Sequence, residues 1–186
     1  MNLLVFAHLA EAGCFIQKDH FQPVDGIPGC FKNHQNLLVV LGEGQDYVDQ
    51  KLTKAFEYSS SRITKITNHG TAGSLTDKCF KEKIFPIGTF YGEDQTGFLI
   101  SQHPNPLASC ITADQRSQDP LTRQKLSQVA DLVDRELWAI GKWAKQRHLP
   151  LFSYKLVTDF GDQEMDLKTI KKLAPLWSEQ LYNYNY

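Results

Sequence analysis

Short apolar or alternating segments follow one another along the chain, and segments with helical periodicity separate several of them. The strand-like segments are residues 2–7, 36–42, 62–67, 83–90, 97–101, 108–112, 130–134 and 151–157. Apolar residues recur at helical spacing in 48–56, 137–144 and 170–181. Pro175 lies inside the last of these segments and predicts a kink or a late helix start there.

Strands that alternate with helices predict an α/β protein of three layers, with a central, largely parallel, twisted sheet between helices. The strand-like segments between residues 83 and 112 have no helical pattern between them, so we expect the sheet to be mixed. A length of 186 residues suits a single domain that spans residues 1–186.

Composition excludes several classes of partner. The formal net charge of -1 gives no general attraction to nucleic acid or to an anionic membrane surface. No segment approaches the roughly 18 apolar residues of a membrane span, and the first residues lack the features of a signal peptide. The four cysteines and six histidines show no metal-ligand spacing. We therefore expect a cytoplasmic protein without a metal or another cofactor.

The segment "NHGTAGSL" at residues 68–75 contains two glycines, Gly70 and Gly73, among small side chains. It follows the alternating run "RITKI", so the pattern predicts a strand end followed by a glycine-rich turn. In open α/β sheets ligands bind at the carboxyl ends of strands, where such a turn brings backbone N–H groups close to an anion or a sugar. A tight turn without a ligand fits the same pattern.

Carboxylates recur at predicted strand ends. Glu11 follows the first strand, the run 134–136 stands where a strand gives way to a helix, and Thr158 and Asp159 end the strand at 151–157. Each has a structural alternative, since acidic residues also stabilise the first turn of a helix and form caps or turns.

The order of these segments resembles the nucleoside phosphorylase and nucleosidase superfamily. It is most similar to the methylthioadenosine/S-adenosylhomocysteine nucleosidases and the futalosine hydrolases. "ITNHGTAGSL" resembles the family's strand followed by N-x-G-[ST]-A-G-G, and "SCITADQ" resembles its S-G-D-x-F segment. Residues 131–162 resemble V-x-M-E-x-x-A-I-A…P-x-x-x-x-R-x-x-S-D-x-A-D, which is the most specific match because spacing and residue character agree throughout. The resemblance implies a nucleoside phosphorylase-like fold.

The resemblance also implies roles for single residues. Asp159 matches the general acid that protonates the purine, and Glu136 matches the glutamate that holds the ribose hydroxyls. Thr71 matches the residue that helps to place the nucleophile. Glu11 matches the glutamate that activates the attacking water, although it lies one residue closer to the first strand than in the family. Thr158 stands at the serine of the S-D motif and joins the substrate-binding set.

The glycines at 70 and 73 leave room for the sugar or the nucleophile in this interpretation. Asn68 stands where phosphorylases of the superfamily carry a phosphate-binding arginine, which favours hydrolysis because a neutral amide makes no bidentate charged contact with phosphate. Arg135 replaces the methionine that usually lies beside the ribose. It either meets an anionic group of the substrate or pairs with Asp134.

The resemblance thus implies a purine nucleosidase that hydrolyses the N-glycosidic bond of an adenosine- or inosine-type nucleoside, similar to methylthioadenosine or S-adenosylhomocysteine, to free base and sugar. A uracil base has no N7 for Asp159 to protonate. A purine nucleoside phosphorylase and a non-catalytic nucleoside-binding member remain as alternatives. The expected partners are a small-molecule nucleoside and, by resemblance, a second copy of the chain in a homodimer. The base and the 5′ substituent stay open.

Overall fold

The computed structural model describes residues 1–60, 62–95, 97–114, 119–160 and 167–185, without the side chains of residues 167, 168, 171 and 185. The strands within these residues are β1 (Asn2–Phe6), β2 (Gln22–Pro23), β3 (Cys30–Lys32), β4 (Asn36–Val40), β5 (Lys65–Ser74), β6 (Ile84–Tyr91), β7 (Phe98–Ile100), β8 (Ala108–Thr112), β9 (Leu132–Asp134) and β10 (Leu151–Asp159). The helices are α1 (Leu9–Lys18), α2 (Val48–Tyr58), α3 (Pro120–Ser127), α4 (Leu137–Gln146) and α5 (Leu167–Asn185).

The strands form one mixed sheet whose central part closes on itself. Its order is β10-β6-β8-β9-β5-β1-β4-β3-β2, with β7 on β6, and a further pairing between β10 and β5 completes a ring of five strands. Of the pairings among the described strands, five are parallel and five antiparallel. The predicted mixed α/β class is confirmed. The expected open, largely parallel central layer is wrong, since the sheet closes into a barrel.

Strand β5 lies at the junction between the ring and the rest of the sheet. One of its edges pairs with β10 from residue 66 to residue 73. On its other edge β1 pairs with β5 only as far as Asn68, and β9 takes over at Gly73. Between these two residues this edge of β5 has no strand beside it among the described pairings. The predicted glycine turn is therefore wrong, because residues 68–74 continue the strand under pairing from β10.

The helices cover the sheet in two groups. Helices α2 and α4 pack on one another, and their Leu52 and Trp143 belong to the larger buried core. Helices α1 and α5 make the second group, where Phe15 and Leu181 are buried. Helix α5 begins before Pro175 and continues through it, so the late start is not observed. Among the described helices, none has the length and apolar character needed to cross a membrane.

The sequence patterns do not predict three short elements of the structure. Strands β2 and β3 have two and three residues, and α3 has eight. The last of these begins with a clear cap, in which Asp119 accepts a hydrogen bond from the Thr122 N–H at 2.9 Å. Elements this short show too few turns or alternations for periodicity to reveal them.

Candidate active site

Glu11 reaches the unpaired edge of β5 from the first turn of α1. Its Oε1 accepts hydrogen bonds from Thr71 N at 3.0 Å and Thr71 Oγ1 at 2.9 Å, and its Oε2 accepts from His8 N at 3.1 Å. The side chain is 2% exposed. Because a carboxylate has about four acceptor positions, these donors leave room for one more hydrogen bond. The sequence-predicted pair of Glu11 and Thr71 is therefore brought together in the structure.

Lys155 and Glu11 both approach the backbone of Gly70. A Cβ added at Gly70 would stand 3.6 Å from Lys155 Nζ and 3.9 Å from each carboxylate oxygen of Glu11. The two charged groups thus lie close to one bare backbone position. A Cβ there would make ordinary van der Waals contacts with both groups and would occupy the space beside them.

The Lys155 ammonium forms a buried ion pair with Asp134 at the end of β9. Nζ lies 2.6 Å from Asp134 Oδ2, and both side chains are almost fully buried. Burial is the largest single effect and lowers the pKa of Lys155, but the combined interactions with Asp134, Cys110 and Glu136 outweigh it and raise the pKa overall. Lys155 therefore carries its charge at neutral pH. It stands at the arginine of the pattern that residues 131–162 resemble.

Asp134 also fixes the start of α4. Its Oδ1 accepts a hydrogen bond from Thr112 Oγ1 at 2.6 Å and its Oδ2 accepts from Leu137 N at 3.0 Å. The expected stabilisation of a helix start by this acidic run is thus real, but it comes from a buried side chain that also neutralises Lys155. Of the two alternatives for Arg135, pairing with Asp134 is wrong.

Glu136 is the residue immediately before α4 and is 6% exposed. Its Oε1 accepts a hydrogen bond from Gly44 N at 2.7 Å. The pKa of Glu136 is raised to about 8, first by burial, then by the charge of Asp134 and to a smaller extent by Glu11, against the lowering effects of Lys155 and the Gly44 hydrogen bond. These electrostatic interactions place Glu136, Asp134 and Glu11 in one acidic group, with Lys155 as the opposing cation.

The raised pKa of Glu136 predicts a pH-dependent loss of stability. Between its ordinary value of 4.5 and about 8, the folded protein keeps a proton that the unfolded chain releases, so the free energy of unfolding falls as pH rises. We expect Glu136→Gln to remove this part of the pH dependence, worth on the order of 3 kcal/mol. Urea unfolding from about pH 5 to about pH 9 measures it.

The exposed Glu57 in α2 supplies the control for this measurement. Glu57→Gln is expected to leave the pH dependence of the wild-type protein unchanged. Parallel stability curves for the wild-type protein and Glu136→Gln across this pH range would contradict the assignment of the raised pKa.

Arg135 points its guanidinium at the loop before α2. Its Nη1 pairs with Glu43 Oε1, and its Nη2 donates a hydrogen bond to Asp114 O at 2.8 Å. Its Nε is buried and has no hydrogen-bond partner among the described residues. The side chain at the methionine position of the resembled pattern is therefore held by the protein itself, beside Glu136.

Asp159 ends β10 next to Gly73, with which it is paired across the two strands. It is half-buried, and Oδ2 accepts a hydrogen bond from Thr158 Oγ1 at 2.9 Å. Gly73 also pairs with Val133 of β9, one residue before Asp134. Asp159 thus lies at the same end of the ring as the start of α4. Residues 161 and 162, the last two of the matched motif, lie outside the described residues.

Asn68 has a structural role in this arrangement. Its Nδ2 donates a hydrogen bond to Val5 O at 3.2 Å, and its Oδ1 accepts one from Ser153 Oγ at 3.0 Å. The amide thereby links β5 to β1 and β10. Its contact with a ligand stays a prediction, since both of its polar groups already have protein partners.

Three contributors to the site were not predicted: Lys155, Gly44 and Thr112. Lys155 is the charged residue of the otherwise largely apolar strand "LFSYKLV". Because an unpaired ammonium is costly to bury, its position in this strand indicates a buried acidic partner. Gly44 and Thr112 left no comparable signal. Within the described part of the chain, no group of three or more His, Cys, Asp or Glu residues is arranged to hold a metal ion.

No protein-family model and no curated protein matches the sequence. Many solved structures match the fold. The 5′-methylthioadenosine nucleosidase of Arabidopsis thaliana superposes with a TM-score of 0.83 at 17% identity, and the match covers 99% of this chain and 92% of that one. The chain has the fold of the nucleoside phosphorylase and nucleosidase superfamily.

Two further structures with this nucleosidase fold extend the comparison. A futalosine hydrolase mutant of Helicobacter pylori has a TM-score of 0.81 at 12% identity, covering 99% of this chain and 96% of that one. A methylthioadenosine-bound nucleosidase variant from Chlamydia trachomatis has a TM-score of 0.78 at 22% identity, covering 98% and 93%. The resemblance expected from the sequence is confirmed for the fold.

Proposed function

We propose that the protein is a purine nucleosidase that hydrolyses the N-glycosidic bond of an adenosine- or inosine-type nucleoside to the free base and the sugar. The observation that carries this proposal is the placement of the Glu11 carboxylate on Thr71, with the Lys155 ammonium close to the same bare backbone position at Gly70. A carboxylate with one open acceptor position beside a small space suits the activation of a water molecule.

In this mechanism Glu11 takes a proton from water as the water oxygen forms a bond with C1′ of the sugar. The C1′–N9 bond breaks, and its electron pair leaves with the purine. Thr71 holds Glu11 through two hydrogen bonds, so the carboxylate keeps one orientation. Lys155 offsets the negative charge around Glu11 and lowers the energetic cost of burying the acidic group.

Glu136 is proposed to hold the sugar. One of its oxygens is engaged by Gly44 N, and the other is available to a ribose hydroxyl. Cleavage of the glycosidic bond passes through an oxocarbenium-like sugar, whose positive charge favours the ionised form of a nearby carboxyl. The developing cation is therefore expected to lower the pKa of Glu136, which is raised to about 8 in the free protein.

Asp159 is proposed to protonate N7 of the purine, which turns the base into a better leaving group. Its half-buried position at the end of β10 leaves it accessible to a ligand, and Thr158 orients its carboxyl. Aspartate-to-asparagine variants of nucleosidases from Helicobacter pylori and Chlamydia trachomatis hold 5′-methylthioadenosine. The same exchange is the natural test at Asp159.

Hydrolysis is favoured over phosphorolysis by the charges around the site. The Lys155 ammonium is already paired with Asp134, so a phosphate dianion would meet the nearby carboxyls of Glu11 and Glu136. The Asn68 amide adds no cation.

Incubation with a panel of purine nucleosides, with and without phosphate, tests this proposal. We expect free base to appear at a rate that is independent of phosphate, together with free sugar. Sugar 1-phosphate would identify a phosphorylase instead. Binding of nucleosides without release of base would identify a non-catalytic binding protein. The homodimer, the cytoplasmic location and the nature of the 5′ substituent stay predictions or open questions.

A further inference from the structure

The loop of residues 42–46, which connects β4 to α2, folds directly onto the proposed sugar-binding carboxyl. Gly42 and Gly44 have φ angles of 89° and 88°, a backbone conformation that other residues adopt rarely. This turn directs Gly44 N at Glu136 Oε1, at a distance of 2.7 Å. The two glycines therefore shape a loop whose backbone donor contacts a buried acid.

Two side chains tie the 42–46 loop down on either side of Gly44. Glu43 pairs with Arg135, the residue next to Glu136, and Gln45 Nε2 donates a hydrogen bond to Asp114 Oδ1 at 2.7 Å. Arg135 in turn donates to Asp114 O at 2.8 Å. The guanidinium thus links the loop, the start of α4 and the segment after β8.

The ion pair between Glu43 and Arg135 fixes the position of the 42–46 loop but contributes little to the free energy of folding. The side chains of Arg135 and Glu43 are 31% and 36% exposed, and ion pairs in contact with solvent contribute little to folding free energy. The amide that this pair holds in place, by contrast, contacts a carboxyl that is almost fully buried. A small shift of the 42–46 loop would change the orientation of that carboxyl.

We propose that Glu43 and Arg135 are positioning residues, whose ion pair holds the Gly44 amide on one oxygen of Glu136 and so presents the other oxygen to a sugar hydroxyl. This inference rests on the proposed function. It gives Arg135 a positioning role through its charge. The methionine of the resembled pattern has no charge and could not form this ion pair. The positioning role also explains why Glu43, on a partly exposed loop, faces the start of α4.

The same contact influences the proton of Glu136. The Gly44 hydrogen bond favours the ionised form and lowers the pKa of Glu136, against the opposing effects of burial and of Asp134. Loss of this hydrogen bond is therefore expected to raise the pKa of Glu136 further. A sugar-binding carboxyl that keeps its proton longer stabilises a cationic sugar less well.

Kinetics of Glu43→Ala on matched substrates form the first arm of the test. For a ribonucleoside that the wild-type protein cleaves, we expect kcat/KM to fall about tenfold. For the analogue that lacks the hydroxyl bound by Glu136, found by comparing the 2′-deoxy and 3′-deoxy forms, the loss should stay below about twofold. Glu57→Ala, at an exposed glutamate of α2, is the matched control and should change neither value.

The second arm needs no activity and follows the backbone amide of Gly44 by NMR as pH is changed. In the wild-type protein the Gly44 resonance should titrate with Glu136, with a midpoint near the pKa of about 8. It should stay flat in Glu136→Gln, and in Glu43→Ala the titration should be lost.

The two arms separate the possible failures. A wild-type protein that cleaves no nucleoside overturns the proposed function, while the Gly44 titration still tests the positioning of Glu136. A Glu43→Ala variant whose Gly44 resonance titrates as in the wild-type protein overturns the positioning role. Equal losses of kcat/KM on the ribonucleoside and its deoxy analogues would overturn it as well.

Discussion

Asp159→Asn is expected to lower kcat by about 10²–10⁴-fold while KM changes by only a few fold. The amide keeps the size of the side chain and can still accept the hydrogen bond from Thr158 Oγ1. It has no acidic proton to give to the purine, so the bond to the base must break without general acid catalysis. Steady-state assays of base release measure kcat and KM, and equilibrium binding of the nucleoside to the variant separates chemistry from affinity.

Asp77→Asn, at an exposed aspartate, is the matched control for this experiment and is expected to keep wild-type kinetics. An Asp159→Asn variant with unchanged turnover would remove Asp159 from the mechanism. Loss of binding together with loss of turnover would point to a structural role for this residue. Thermal unfolding of both variants shows whether the fold has been kept.

Lys155→Met is expected to lower the free energy of unfolding by about 3–5 kcal/mol. The substitution leaves Asp134 buried without its counter-charge, beside Glu136 and close to Glu11. Methionine matches the lysine stem in shape, so the effect reports mainly on charge and little on lost packing. Urea unfolding of the two proteins measures the difference.

Lys78→Met gives the corresponding surface control. Lys78 pairs with Asp131 at 3.1 Å, but its side chain is 59% exposed, so we expect a loss of less than about 1 kcal/mol. The double variant Lys155→Met/Asp134→Asn should recover part of the loss, because it removes the uncompensated charge. Similar costs for Lys155→Met and Lys78→Met would show that the buried pair is not the electrostatic centre of the site.

The parts of the fold that sequence predicted well are those encoded in local patterns. Helices α2 and α4 show the expected apolar periodicity, and β1 and β4 are short apolar runs bounded by polar residues. The site residues Glu136 and Asp159 lie at a helix start and a strand end, as predicted. Both places follow from short stretches of chain whose character is visible in the sequence itself.

The parts that failed depend on contacts between distant segments. Residues 68–74 contain the small, flexible residues of a turn, yet β10 pairs with this segment across more than 80 positions of the chain and keeps it extended. The closure of the sheet rests on the same pairing. Local composition carries no information on which strand will lie beside β5, so neither feature was predicted from it.

The charged contacts of the site also depend on distant segments of the chain, so local sequence patterns do not predict them. The sequence predicts Asp134 as part of a charged helix start, whereas its partner Lys155 lies on another strand. The contact of Gly44 with Glu136 joins residues 92 positions apart. Sequence patterns indicate which residues carry charge, whereas the pairing of these charges is set by the closed sheet.

The central claim is that water, activated at Glu11, displaces a purine from the sugar. Reaction of the wild-type protein with an adenosine- or inosine-type nucleoside in ¹⁸O-labelled water, followed by mass spectrometry of the products, tests it most directly. We predict one labelled oxygen on the C1 hydroxyl of the released sugar and no label on the base. Free base released together with an unlabelled sugar product, or no release of base from any purine nucleoside, would contradict the claim.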